Sequence, residues 1–83
     1  MTNFAPSSQE LDPELARIGA TIRQMREMRG MTQEQLSHAA LLSRSYITNI
    51  EVGRKKPGQK AIARIAQALC VPQISIIRPE ADE

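Results

Sequence analysis

The sequence predicts an all-α domain built from five short helices. Two observations carry that reading. Apolar residues recur at three- and four-residue spacing through most of the chain, the period of a helix with one buried face. Helix-starting and helix-stopping residues bracket these stretches: Asp12-Pro13, Thr32 and Ser43 at the starts, Gly30, Gly53 and Pro57-Gly58 at the breaks.

The first helix begins at Asp12, an N-cap, with Pro13 at the first helical position and Glu14 in the first turn. Leu15, Ile18, Ile22 and Met25 form its apolar stripe, and it runs to about Arg29, with Gly30 as the stop. Arg17, Arg23, Arg26 and Arg29 fall mostly off that stripe, and Met31 turns into the core. Thr32 caps the second helix, and Gln35 three residues later completes a capping box. Leu36, Ala39 and Ala40 give the second helix a narrow apolar face, and Leu41-Leu42 carry the chain through a turn. Ser43 caps the third helix, which buries Ile47 and Ile50 and leaves Arg44, Ser45, Thr48 and Asn49 outward. Arg, Ser, Thr and Asn on an exposed helix carry the donors and acceptors that read base edges in a major groove. A plain solvated face has the same composition.

Beyond Gly53, Arg-Lys-Lys-Pro-Gly is a basic loop. A fourth helix starts near Gln59 or Lys60 and buries Ala61, Ile62, Ile65, Ala66 and Leu69, with Cys70 near its end. Pro72 opens a last short helix holding Ile74, Ile76 and Ile77, although three isoleucines also suit a strand. Residues 1–11 read as a loose leader, 12–79 as the folded domain and 80–83 as an acidic tail.

At 83 residues the chain holds one small domain, of a size at which dimerisation often adds stability. Cys70 is the single cysteine, so no disulfide forms within the chain, and a reducing cytoplasm is the expected compartment. No apolar run nears the roughly 18 residues of a membrane span, and the first residues are not those of a secretory signal. Aromatic platforms for single-stranded nucleic acid are nearly absent, with only Phe4 and Tyr46. The net charge is +2, but it is unevenly spread. Arg44, Arg54, Lys55, Lys56, Lys60 and Arg64 surround the third helix against the single acid Glu51, as contact with phosphates requires.

An enzyme is not expected. His38 is the only histidine and sits away from Cys70, and there is no nucleophile elbow, metal-ligand spacing or glycine-rich phosphate loop. No catalytic residue, metal or cofactor is therefore assigned. Glu10, Asp12 and Glu14 are helix-start charges.

The stretches RGMTQEQL (29–36) and SRSYITNIEVGRKKP (43–57), at their mutual spacing, are specific. Through them residues 18–77 resemble the lambda-repressor-like helix-turn-helix family of the Xre or Cro/C1 type. Restriction-modification controller proteins look especially similar in Arg44 to Glu51 and in overall size. Phage Cro-like repressors and the DNA-binding halves of antitoxins share the pattern. The resemblance implies a compact five-helix DNA-binding domain, a transcriptional regulator or repressor acting as a homodimer on a near-palindromic double-stranded operator. It implies base reading by Arg44, Ser45, Thr48 and Asn49, and backbone contact by Gln33, Ser43, Tyr46, Arg54, Lys55 and Lys56. For Tyr46, a ring packed on the scaffold is the equal alternative. Arg26 and Glu51 match a structural ion pair between the first and third helices. Ile74, Ile76 or Ile77 would anchor the dimer. In the alternative, an antitoxin-type interaction module, the same isoleucines would bind a different protein partner. The family usually has Gly where Leu41 stands, so a positive φ there would cost on the order of 1 kcal/mol. Cys70 replaces another common Gly and is expected to be a buried small hydrophobe.

Overall fold

The computed structural model describes residues 12–78 and consists there of five helices. They are α1 (Pro13–Met28), α2 (Gln33–Ala40), α3 (Arg44–Glu51), α4 (Gln59–Leu69) and α5 (Gln73–Ile77). The proposed leader 1–11 and tail 80–83 lie outside the described residues.

The starts are made as the cap chemistry dictates. Asp12 accepts from the Glu14 N–H at 2.8 Å, with Pro13 at the first helical position. Thr32 and Gln35 form a reciprocal capping box, at 3.0 Å and 2.8 Å. Ser43 accepts from the Tyr46 N–H at 3.0 Å. The stops share one geometry. α1, α2, α3 and α4 each end on a left-handed residue: Gly30, Leu41, Gly53 and Cys70. At each, paired backbone bonds return to the last turn, for example Leu42 N–H to Ser37 C=O at 2.9 Å and Val71 N–H to Ala66 C=O at 3.0 Å. Met31, Leu42 and Val71, each following its left-handed residue, pack against the core.

That core is made of Ile22, Leu36, Ile47, Ile50, Ile65, Leu69 and Ile76, all fully buried. α3 packs against both α1 and α2, α2 lies on α4, and α5 closes the far side against α4 and α1. The approach of α1 to α3 depends on Gly19. A Cβ there would collide with the backbone oxygens of Ile50 and Glu51, so no other side chain fits without moving α3.

Three expectations need correction. Ala39 is exposed, and Ser37 takes its place beside Leu36 and Ala40. Burial of Ser37 is tolerated because its hydroxyl donates to the Glu34 carbonyl at 2.8 Å. Arg26, off the apolar stripe but matched with Glu51 as an ion pair, is only 8% exposed, for a reason given below. Cys70 is exposed instead of buried, because the left-handed stop at φ 59° takes it off the inner face of α4. Ile76 belongs to the core at 0% exposure and is unavailable as a dimer anchor, whereas Ile74 and Ile77 are 51% and 41% exposed. The three isoleucines lie on a helix and not a strand: the Arg78 N–H returns to the Ile74 carbonyl at 3.0 Å, with Ile76 on the inner side of the turn.

Candidate nucleic-acid interface

The order α2, left-handed turn, α3 sets the third helix on a rigid base. Leu41 turns the chain at φ 60° while its side chain stays 75% exposed, and Leu42 returns to the core. Ile47 and Ile50 then fasten α3 from behind. With that face spent, Arg44 and Ser45 are exposed at the first turn, and Thr48 and Asn49 are half-buried along the flank.

Two of these four side chains are already hydrogen-bonded. The Thr48 hydroxyl donates to Gln33 Oε1 at 2.8 Å. Asn49 Oδ1 accepts from Arg54 Nη1 at 3.4 Å. Arg44 and Ser45 have no side-chain partner among the described residues, which leaves the Arg44 fork free for an external acceptor pair.

The loop after α3 is anchored to α3 itself. The Asn49 carbonyl accepts from the Arg54 N–H at 2.9 Å and the Lys55 N–H at 3.2 Å. Gly53 is left-handed there, at φ 83°. Arg54, Lys55 and Lys56 are all exposed. Lys55 stands 5.9 Å from the centre of the Tyr46 ring. Tyr46 is half-buried against the core, and its hydroxyl accepts from the Gly58 N–H at 3.4 Å, so the ring braces the loop. Lys56 borders a cleft of about 290 Å³ together with Glu14, Ile18, Ile62 and Ile77. It therefore stands beside residues of α1, α4 and α5.

Behind this surface lies a buried ion pair. Arg26 donates to Glu51 twice, Nε to Oε2 at 2.7 Å and Nη2 to Oε1 at 3.0 Å. Its remaining nitrogen, Nη1, donates to the Met31 carbonyl at 2.7 Å. The side chains are 10% and 1% exposed. The hydrogen bond to Glu51, against the opposing cost of burial, holds the Arg26 guanidinium above its ordinary pKa. The pair welds the end of α3 to α1 and explains why Arg26 is inside. It also turns the acid of α3 away from any phosphate.

Gln33, expected to contact the backbone, is turned toward this pair. Its Nε2 donates to Glu51 Oε1 at 3.0 Å while its Oε1 takes the Thr48 hydroxyl. Spacing alone gave no signal for this link, because Gln33, Thr48 and Glu51 come from two helices. Ser43 has its hydroxyl engaged in capping α3. No metal-binding cluster of acidic, His or Cys residues occurs among the described residues. No helix there is long and apolar enough to cross a membrane.

The helix-turn-helix family profile matches residues 22–72. Among curated proteins, an HTH-type transcriptional regulator of Sinorhizobium fredii is 29% identical over 75% of this chain and 80% of its own length. The immunity repressor of Bacillus phage phi105 is 36% identical over 76% of this chain, which spans 44% of that repressor. Among solved structures, the restriction-modification controller protein C.AhdI of Aeromonas hydrophila superposes with a TM-score of 0.77 at 28% identity. That match covers 78% of this chain and 98% of the controller protein.

Proposed function

The chain belongs to the helix-turn-helix family of DNA-binding transcriptional regulators, and from that premise we propose that it acts as a homodimer with α3 of each subunit in a major groove. The observation that carries this reading is the free Arg44–Ser45 end of α3, on a helix fixed by the Arg26–Glu51 pair and flanked by Arg54 and Lys55. Arg44 addresses base edges, with guanine O6 and N7 the pair that suits its fork. Ser45 and Asn49 stand beside it as shorter-reach readers. The cations of the loop hold phosphates and set affinity without sequence preference. Gln33 offers the phosphate backbone the N-terminus of α2 and its one uncommitted amide N–H.

Dimerisation is assigned to α5, where Ile74 and Ile77 are the exposed isoleucines. Two subunits so joined would read half-sites about one helical turn apart, or a small multiple of it, on a near-palindromic operator. The reading includes no catalytic step. The experiment is selection of bound duplexes from a random pool, with the stoichiometry of the shifted band. A symmetric consensus bound by two chains is the expected result. Retention of no duplex even in dilute buffer would end the proposal.

A further inference from the structure

Four side chains from three helices form one hydrogen-bonded series, and its direction is fixed from one end. Arg26 can only donate. It gives two bonds to Glu51, whose carboxylate can only accept. Glu51 Oε1 is 3.0 Å from the Gln33 amide, so the amide must present its nitrogen to the carboxylate. The Gln33 oxygen then faces Thr48 Oγ1 at 2.8 Å, and an oxygen there can only accept. The Thr48 hydroxyl must therefore point its proton inward, toward Gln33.

We propose that this series makes Thr48 an acceptor-only position on the groove-facing flank of α3, and so determines which bases it tolerates. With its proton committed, Thr48 offers the outside its oxygen lone pairs and a methyl group. That edge matches a base that presents an amino group, adenine through N6 or cytosine through N4. It opposes guanine, whose major-groove edge carries only the acceptors N7 and O6. A free threonine would rotate its proton outward and accept either class. Arg26, Glu51 and Gln33 touch no base in this scheme. They are positioning residues that act through Thr48. The proposal rests on the reading that α3 enters the major groove.

The test is duplex selection from a random pool with the full chain, comparing wild type with T48V, T48S and Q33A, each checked for helical content. The wild type should select a consensus with one position per half-site where adenine or cytosine exceeds guanine roughly fivefold, about the effect of one hydrogen bond. T48V, which keeps the shape and loses the oxygen, should abolish that preference, and T48S should restore it. Q33A should also abolish it, by freeing the hydroxyl proton, so that guanine rises at that position and at no other. If T48V fails to fold, Q33A alone decides. Guanine at the Thr48-dependent position in wild type, or an unchanged consensus in either T48V or Q33A, overturns the inference while groove reading stands. A wild type that selects no consensus overturns both.

Discussion

Arg44 at the start of α3 and Lys55 in the loop after it illustrate two ways one side chain can contribute to binding DNA. Arg44 has a planar fork and no side-chain partner among the described residues, so its energy depends on the base it meets. Arg44→Ala should cost about 1–3 kcal/mol at one base position and relax specificity there, measured by competition between consensus and singly altered duplexes. Lys55 is a point charge poised over Tyr46. Lys55→Ala should weaken binding to consensus and random duplexes alike and reduce the slope of log affinity against log salt by about 1. Equal behaviour of the two variants on both duplexes would contradict this division. Leu41 is a different kind of residue. Its left-handed backbone costs about 1–2 kcal/mol, and its side chain is too exposed to recover that by packing. Glycine removes the strain but adds about 0.5–1 kcal/mol of unfolded-chain entropy. Leu41→Gly should thus raise stability by roughly 0.5 kcal/mol, read as a higher urea midpoint at unchanged m-value.

At the scale of elements, the arrangement of α1 against α3 is the joint on which the interface depends. It combines the bare backbone contact at Gly19 with the buried bonds from Arg26. Glu51→Gln keeps the shape and removes the partner charge, leaving a guanidinium buried without compensation. The expected loss is about 3 kcal/mol, or a fall of roughly 12–24 °C in Tm for a domain this small. Thermal unfolding by circular dichroism checks it, and a Tm within a few degrees of wild type would contradict it. The raised pKa of Arg26 gives no acid sensitivity of its own. A cation with an elevated folded pKa contributes fully below its unfolded value and loses that contribution only as pH rises through the folded value. Across neutral and acid pH, Arg26 therefore stays charged. A second joint holds α5. Arg17 donates to the Ile77 carbonyl at 2.7 Å and to the Arg78 carbonyl at 3.1 Å. A five-residue helix has too few internal bonds to be stable alone, and this cation occupies the negative end of its dipole.

For the whole molecule, the question is how the two faces of α5 divide. Ile76 completes the core of its own subunit, and Ile74 and Ile77 look outward. Ile77→Asp should therefore leave the fold in place and shift sedimentation from dimer to monomer, because a charge would be buried at the centre of the proposed contact. A variant that sediments as wild type would remove Ile77 from the interface. Weakened dimerisation should also reduce operator affinity more than binding to a single half-site, since two linked contacts gain from effective concentration.

The local rules of the chain were enough to specify its helices. Caps at Asp12, Thr32 and Ser43, and apolar period through Ile18–Ile22, Ile47–Ile50 and Ile62–Leu69, act within a few residues and are written in order along the sequence. The resemblance carried in RGMTQEQL and SRSYITNIEVGRKKP assigned base reading to the third helix and matched Arg26 with Glu51. Tertiary structure alone decided what depends on where helices cross. It put Ser37 and Ile76 inside, and Ala39 and Cys70 outside. It also turned the Gln33 amide toward Glu51, 18 residues beyond it, and the Thr48 hydroxyl toward Gln33. Periodicity identifies the apolar side of each helix separately. The direction of a hydrogen-bond series is a property of three helices at once, so no single stretch of the chain contains it.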